Sequence, residues 1–143
     1  MSKNEKMVQA IVEDMKKYAS GEYFLHNGEL FPIDERDFYK LDGCKYREGI
    51  YIMPDGEQIA FEDLEIADIG DYFDDFYDID YVIGGDKHYK ACRVLVAFGG
   101  PNIYIDTWEK EVQLFRWSDT AIADIPDELC VAIDDFFEVL YNC

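Results

Sequence analysis

The sequence predicts an α+β fold in which an antiparallel sheet packs against helices at both ends of the chain and an acidic helix in the middle. Three observations lead to this class. Apolar residues recur at helical spacing near both termini and in one central segment. Shorter apolar runs, separated by glycine-containing turns, fill most of the rest. The 143 residues are 49% hydrophobic and 16% aromatic, which suffices for one core, so we expect a single acidic domain over residues 1–143.

The first sixty residues predict a helix, two hairpins and a helical turn. The apolar stripe of a helix over residues 4–19 comprises Met7, Val8, Ile11, Val12 and Met15. Lysines in its last turn and Gly21 beyond it favour a helix end there. Asn27-Gly28 and Pro54-Asp55-Gly56 each lie between short apolar runs, which predicts a hairpin at both places. Residues 34–41, between the hairpins, indicate a helical turn.

The central segment, residues 62–80, reads EDLEIADIGDYFDDFYDID and holds nine acidic residues and no basic one. Two sets of residues recur here at steps of three or four, apolar Ile66, Ile69, Phe73 and Phe76 and acidic Asp68, Asp71, Asp75 and Asp78. Two interleaved stripes of that period are typical of an amphipathic helix, which we place over residues 64–79. The aromatic rings would then face inward, and a row of carboxylates would face solvent.

The second half predicts a four-strand antiparallel meander followed by a helix. The strand-like segments DIDYVIG, YKACRVLVAF, NIYIDT and EVQLFRW are joined by short turns. RVLVAF is almost continuously apolar, which favours a central strand covered on both faces. The final helix would have Asp124 as its N-cap and Pro126 in its first turn. Its buried stripe would comprise Leu129, Ile133, Phe136 or Phe137, and Leu140.

The charge of the chain is large and segregated. The formal net charge is −19, whereas a magnitude of about 2–8 is enough for solubility. Residues 48–86 contain 13 acidic residues and residues 117–143 contain 7, and neither range contains a lysine or arginine. These two ranges hold 20 of the 32 acidic residues, so the rest of the chain is nearly neutral. Self-repulsion at this level opposes compaction, which points to a positively charged partner.

No enzymatic signature accompanies this charge. The sequence contains neither a G-x-G-x-x-G nor a Walker loop, and none of its three serines lies in a nucleophile elbow. Its four cysteines are widely spaced and it has only two histidines, so we expect free thiols and no zinc site. The acidic segment also fails the EF-hand pattern. We therefore predict a protein that is not an enzyme and that uses neither a metal nor a cofactor.

The sequence also predicts the cellular location of the protein. No apolar run approaches the roughly 20 residues of a membrane span. The N-terminal segment lacks the apolar core of a signal peptide. We expect a cytoplasmic protein that does not bind membranes.

The acidic residues indicate the class of partner. Nucleic-acid affinity depends on lysine and arginine contacts to phosphates, so this chain should not bind nucleic acid directly. A groove that holds nucleic acid would instead attract its carboxylates, which predicts a basic nucleic-acid-binding protein or nuclease complex as partner. The predicted contact residues are acids of the central segment and of the last helix, together with two tyrosines: Glu62, Asp63, Glu65, Asp68, Asp71, Tyr72, Asp74, Asp75, Tyr77, Asp78, Asp80, Asp134, Asp135 and Glu138.

In size and in its basic-free acidic segments, the chain resembles the DNA-mimic inhibitors of bacterial defence, the antirestriction and anti-CRISPR proteins. Separately, residues 92–117, CRVLVAFGGPNIYIDTWEKEVQLFRW, look like a stretch of small uncharacterised acidic proteins of bacterial mobile elements. The first resemblance implies an inhibitor that acts as a nucleic-acid mimic. It would occupy the basic nucleic-acid groove of a DNA- or RNA-processing defence enzyme, either a CRISPR effector or a restriction enzyme.

Three other functions fit the same composition. An immunity protein that neutralises one cognate toxin nuclease would need the same acidic interface. A small metal-dependent enzyme would use clustered carboxylates as ligands or as general acids and bases. A housekeeping domain could carry a solvated acidic surface with no partner at all.

Overall fold

The computed structural model describes all 143 residues and has the predicted α+β fold, with a helix near each end of the chain. The helices are α1 (Lys3–Ala19), α2 (Glu35–Lys40), α3 (Ile69–Tyr72) and α4 (Asp127–Tyr141). The strands are β1 (Tyr23–His26), β2 (Glu29–Pro32), β3 (Lys45–Arg47), β4 (Ile50–Ile52), β5 (Gln58–Ala60), β6 (Glu65–Ile66), β7 (Asp78–Ile83), β8 (Tyr89–Ala97), β9 (Asn102–Asp106), β10 (Glu111–Arg116) and β11 (Asp119–Asp124). None of the four helices combines the length and the apolar character that crossing a membrane requires.

Contacts group the residues into two compact units. Unit 1 consists of Met1–Ala19 and Ile69–Cys143, and unit 2 consists of Ser20–Asp68. The single domain expected from the sequence stays a prediction.

Unit 1 is a five-stranded antiparallel meander with helices on one face. Its strand order is β11-β10-β9-β8-β7, so every strand pairs with its neighbour in the sequence. Residues of α1, α3 and α4 share one buried cluster with alternate residues of the strands. The largest fully buried side chains of this core are Phe73, Phe137, Met15, Ile105, Leu114 and Ile133. We call the opposite face of this sheet the outer face.

The N-terminal helix forms because its apolar stripe packs on the sheet and its first turn is capped. The predicted stripe is confirmed, with Val8, Val12 and Met15 buried. Ser2 and Glu5 form a capping box, in which each residue's side chain accepts a hydrogen bond from the other's backbone N–H at 3.1 Å. The hydrogen bond from the Ser2 backbone lowers the pKa of Glu5, which keeps the capping carboxylate ionised.

Unit 2 contains two three-stranded antiparallel sheets and the short helix α2. The strand orders are β2-β1-β6 and β3-β4-β5. The core consists of Phe24, Phe31, Phe38, Cys44, Tyr51 and Met53. Both predicted hairpins are confirmed, and positive φ at Asn27 and Gly28 gives the first one a tight two-residue turn. The predicted helical turn is also confirmed, because Asp34 accepts hydrogen bonds from the backbone N–H groups of Arg36 and Asp37 and caps α2.

The acidic middle helix predicted over residues 64–79 is wrong. Helix α3 covers only four residues, whereas Glu65–Ile66 and Asp78–Ile83 are strands. Residues 78–81 alternate polar and apolar side chains with period two, and the backbone from Asp78 to Ile83 pairs with β8 instead of closing helical turns. A helix here would also place aspartates three and four residues apart on one face, where like charges are destabilising.

The meander has five strands and not the predicted four. Asp119–Asp124 forms an edge strand beside β10 and turns Ala121 and Ala123 into the core. Alanine and aspartate are poor strand formers, so pairing and burial override local preference here. Asp124 therefore ends a strand, and the predicted N-cap is wrong because α4 begins at Asp127 with Pro126 as its N-cap.

Two burial predictions are also wrong. Strand β8, which contains RVLVAF, lies next to the edge strand β7, and β9 is the central strand. Val94 of β8 is fully buried, but the neighbouring Leu95 on the outer face is only half-buried. Leu140 is 40% exposed, because Ile133 and Phe137 supply the inward face of α4 near its end.

Candidate acidic interface

The predicted contact residues lie in both units. Glu62, Asp63, Glu65 and Asp68 belong to unit 2, and all four are exposed. The other ten belong to unit 1. Of these, Asp74, Asp75, Tyr77, Asp78, Asp80, Asp135 and Glu138 are exposed, whereas Asp71, Tyr72 and Asp134 are half-buried.

The edge strand β7 directs two of these carboxylates to the outer face. Ile79 and Tyr81 pack against the core, so the pleat turns Asp78 and Asp80 to the opposite side. Side chains two residues apart on a strand are separated by about 6.7 Å along it. Both aspartates are exposed and lie at the rim of the sheet.

The turn before β7 is anchored by its aromatic residues. Phe73 is buried with its ring centroid 4.9 Å from that of Phe137, and Phe76 contacts the same ring at 5.6 Å. These two contacts fix the turn on α4, which leaves Asp74 and Asp75 in solvent.

The two predicted tyrosines differ in their accessibility. Tyr72 packs edge-on against Tyr18 at 5.4 Å, and burial raises its pKa to about 12. Tyr77 is 68% exposed and touches only the exposed ring of Phe98 among aromatic residues. Tyr77 is therefore available to a partner, whereas the ring of Tyr72 is largely occupied within unit 1.

The chain does not neutralise the exposed aspartates of β7 and of the turn before it. Asp74, Asp75, Asp78 and Asp80 form no ion pair with any lysine, arginine or histidine of the chain. Their charge therefore contributes fully to the field that an approaching partner meets.

A cross-strand row extends the acidic surface over the outer face. Residues paired in register across the five strands are Asp80, Arg93, Asp106, Glu111 and Asp124. Four interstrand steps of about 4.8 Å give this row a length of roughly 19 Å. Because the adjacent row runs through buried Val94, Ile105, Val112 and Ala123, this row must point away from the helices. This row was not predicted, since its members come from five different strands and meet only once the register is known.

Arg93 is the single cation of the row, and its guanidinium is engaged within the sheet. Its Nε and Nη2 donate to Gln113 Oε1 at 3.1 and 2.9 Å, and its Cζ lies 3.6 Å from the centre of the Tyr104 ring. The carboxylate of Asp106 is 3.7 Å from Arg93 Nε and also accepts the backbone N–H groups of the following turn at 2.9 Å. Arg93 thus compensates buried Asp106 and leaves the exposed acids of the row unpaired.

Apolar and aromatic side chains lie beside this row on the outer face. The next row in register comprises Asp78, Leu95, Tyr104, Gln113 and Ile122. Ile122 is 55% exposed, and Phe115 on the same face is partly exposed with its ring 6.0 Å from that of Tyr104. The turn after Phe115 carries Trp117, whose side chain is fully exposed. The outer face therefore offers both negative charge and apolar contact area.

Asp134 does not belong to an exposed acidic surface. Its Oδ1 accepts hydrogen bonds from the Tyr89 hydroxyl at 2.6 Å and from Thr107 Oγ1 at 2.7 Å. Burial and the hydrogen bond to Asp134 both raise the pKa of Tyr89, so this phenol stays protonated and donates. Asp134 joins α4 to the sheet, and its predicted role as a contact residue has no geometric support.

The remaining acids of α4 face a different direction from those of β7. Asp135 and Glu138 are exposed on the solvent side of a helix that packs on the inner face of the sheet. Asp78 and Asp80 point to the outer face. Unit 1 therefore has two separate acidic surfaces, which we call the sheet surface (exposed Asp78, Asp80 and Asp124 with half-buried Glu111) and the helix surface (Asp135 and Glu138).

Outside these surfaces, metal-ligating atoms of three residues converge at one place in unit 2. His26, Asp55 and Glu57 bring one ring nitrogen and two carboxylates within 4.8 Å of one another. Local spacing offers no signal for this group, because His26 lies 29 residues before Asp55.

Comparisons with known proteins give no relative. No protein-family model matches the chain, and neither the curated proteins nor the solved structures contain a significant match.

Proposed function

We propose that this chain is an inhibitor that binds the basic nucleic-acid groove of a DNA- or RNA-processing defence enzyme, a CRISPR effector or a restriction enzyme, as a nucleic-acid mimic. The observation that carries the proposal is the sheet surface. Its exposed carboxylates, those of Asp78, Asp80 and Asp124, form no ion pair within the chain and lie on the two edge strands of a face with apolar side chains.

The spacing of these carboxylates suits a groove built for phosphates. Asp78 and Asp80 are separated by about 6.7 Å along the strand, twice the axial rise of about 3.4 Å per phosphate on one DNA strand. The cross-strand row adds Glu111 and Asp124 in a second direction. Lysines and arginines that contact phosphates would meet these oxygen atoms with the same hydrogen-bonding chemistry.

The mechanism is competition for one groove. The net charge of −19 attracts a basic groove over distances beyond contact, which speeds association. Once docked, Phe115, Ile122 and Trp117 supply the apolar area that interface cores contain. Nucleic acid is then excluded sterically, and the partner's lysines and arginines that would bind its phosphates are already occupied. Such an inhibitor would act in the cytoplasm, where its target enzymes meet foreign DNA.

The experiment uses purified CRISPR effector complexes and restriction enzymes, each with a fluorescent DNA substrate. Inhibition of DNA binding is measured for the wild type and for two double variants, D78K/D80K and D135K/E138K. Each reversal adds two units of charge, so both variants shift the net charge by the same four units. They differ only in which acidic surface they alter.

We expect D78K/D80K to lose inhibition by about tenfold or more, since two favourable charge contacts become repulsive. D135K/E138K should lose only the small part of the inhibition that depends on net charge through electrostatic steering. Equal loss in both variants would show that total charge and not the sheet surface matters. Unchanged inhibition by D78K/D80K, or no inhibition of any enzyme tested, would refute the proposal.

A further inference from the structure

The tips of two hairpins meet in unit 2. His26 is the last residue of β1, Asp55 lies in the turn between β4 and β5, and Glu57 directly follows that turn. His26 Nε2 is 2.9 Å from Asp55 Oδ2 and 3.4 Å from Glu57 Oε2. Since β1 and β4 belong to different sheets, three ligating atoms from two sheets share one point.

The imidazole is held in place, whereas the carboxylates are open to solvent. Only 10% of the His26 side chain is exposed, and its ring lies beside that of Phe31. Asp55 Oδ1 accepts the backbone N–H of Glu57 at 2.9 Å, and Oδ2 accepts Asn27 Nδ2 at 3.1 Å. These bonds orient Asp55 Oδ2 toward the ring nitrogen. The exposed side of the two carboxylates gives an ion a path of entry.

The separations suit a small ion. Zinc binds imidazole nitrogen and carboxylate oxygen at about 2.0–2.2 Å, which places tetrahedral ligands about 3.4 Å apart. The distance from His26 Nε2 to Glu57 Oε2 already equals this value, and Asp55 Oδ2 would move away from the ring nitrogen by about 0.5 Å. The two carboxylate oxygens lie within 4.8 Å of each other, so they would approach the ion from either side.

The chemistry of the three ligating groups determines which ions they favour. Calcium and magnesium prefer oxygen ligands throughout, whereas an imidazole favours zinc, cobalt, nickel or copper. We propose that His26, Asp55 and Glu57 form a binding site for a divalent transition-metal ion of the zinc class. Three protein ligands leave the fourth position to water.

Such an ion would join the two hairpin tips of unit 2. Binding only to the folded state raises stability by mass action, so the melting temperature should rise by about 5–10 °C at an ion concentration 100 times the Kd. This role is independent of the sheet surface, which belongs to unit 1.

The test measures zinc binding by calorimetry and thermal unfolding in the full chain after removal of bound metal. All proteins carry C143S, because Cys143 is the one exposed cysteine and thiolates bind zinc. The variants are H26Q and E57Q, and H88Q is the matched control. His88 is exposed and is the only other histidine. E57Q keeps the hydrogen bond between His26 and Asp55, so it removes one ligand without separating the hairpins.

We expect one zinc ion per chain and the same affinity in H88Q. Both H26Q and E57Q should bind at least about tenfold more weakly and show a smaller rise in melting temperature. Equal binding by all four proteins, or no binding by the parent protein with zinc in large excess, would overturn the proposal. Magnesium or calcium binding as tight as that of zinc would overturn the assignment to the zinc class.

Discussion

Removing the Asp134 carboxylate should destabilise unit 1 far more than removing its neighbour. Asp134 accepts two short hydrogen bonds, from Tyr89 and Thr107, which join α4 to the sheet. Asp134→Ala deletes the acceptor of both hydroxyl groups, although Thr107 Oγ1 keeps its hydrogen bonds with the Cys92 backbone. Asp135 is one residue further on the same helix, yet it is exposed and makes no such bond.

The magnitude follows from the two bonds. A hydrogen bond to a charged group contributes roughly 1.5–3 kcal/mol, and part of this is recovered where water reaches the half-buried site. We expect Asp134→Ala to lower the free energy of unfolding by about 2–4 kcal/mol. Asp135→Ala should change it by no more than about 0.5 kcal/mol. Asp134→Asn keeps an acceptor oxygen without the charge, so it should fall between the two.

Urea unfolding measures the difference. With a slope of about 2 kcal/mol per molar urea, Asp134→Ala should lower the midpoint by roughly 1–2 M and leave the slope unchanged. If Asp134→Ala and Asp135→Ala unfold at the same urea concentration, Asp134 does not hold α4 to the sheet. The interpretation of Asp134 as a residue that stabilises the fold, and not as a partner-contact residue, would then be wrong.

Three further predictions concern a helix cap, the thiols and a buried phenol. Asp34→Ala should lower the free energy of unfolding by about 1 kcal/mol in urea, because two backbone N–H groups of α2 lose their acceptor. A chromogenic thiol reagent at neutral pH should modify Cys143 in the native protein and all four cysteines after denaturation. Burial encloses the other three and raises the pKa of Cys92 to about 11, so rapid modification of more than one native thiol would contradict this packing. Stability should fall between pH 10 and about 12, where the unfolded Tyr72 phenol has lost its proton and the folded one retains it, and remain intact below pH 10. Urea unfolding across this range should show a shallower fall for Tyr72→Phe, and an identical fall in both proteins would refute the assigned pKa.

Local signals predicted the parts of the fold that depend on neighbouring residues. Asn27-Gly28 forms the expected hairpin because both residues adopt positive φ, which few other pairs tolerate. The stripe of α1 could be predicted because Val8, Val12 and Met15 repeat at helical spacing over about two turns.

Segments that fit both a helical and a strand period could not be assigned from local signals. From Asp68 to Asp78 the acids recur at helical spacing, whereas from Asp78 to Tyr81 polar and apolar residues alternate. The pairing of Asp78–Ile83 with β8 decided this segment, and such pairing is a long-range property that local spacing does not encode. The strand Asp119–Asp124 was missed for the same reason.

The candidate sites also differ in whether they depend on local or on long-range features of the chain. Charge segregation is a property of the sequence, and of the acids predicted to face solvent, Asp68, Asp75 and Asp78 are exposed whereas Asp71 is half-buried. Their role as contact residues stays a prediction. The cross-strand row requires the register of five strands, and the group at His26 requires the meeting of two hairpins. Neither was accessible before the fold was known.

The central claim is tested most directly by a competition titration on an enzyme that the chain inhibits. The apparent Kd of the enzyme for DNA is measured at rising concentrations of the chain, once at about 50 mM and once at about 200 mM salt. We expect the apparent Kd to rise in proportion to the chain concentration without a plateau, and the affinity of the chain to fall steeply at the higher salt. A plateau, with DNA and the chain bound together, or an affinity that salt leaves unchanged, would contradict a negatively charged surface that takes the place of nucleic acid.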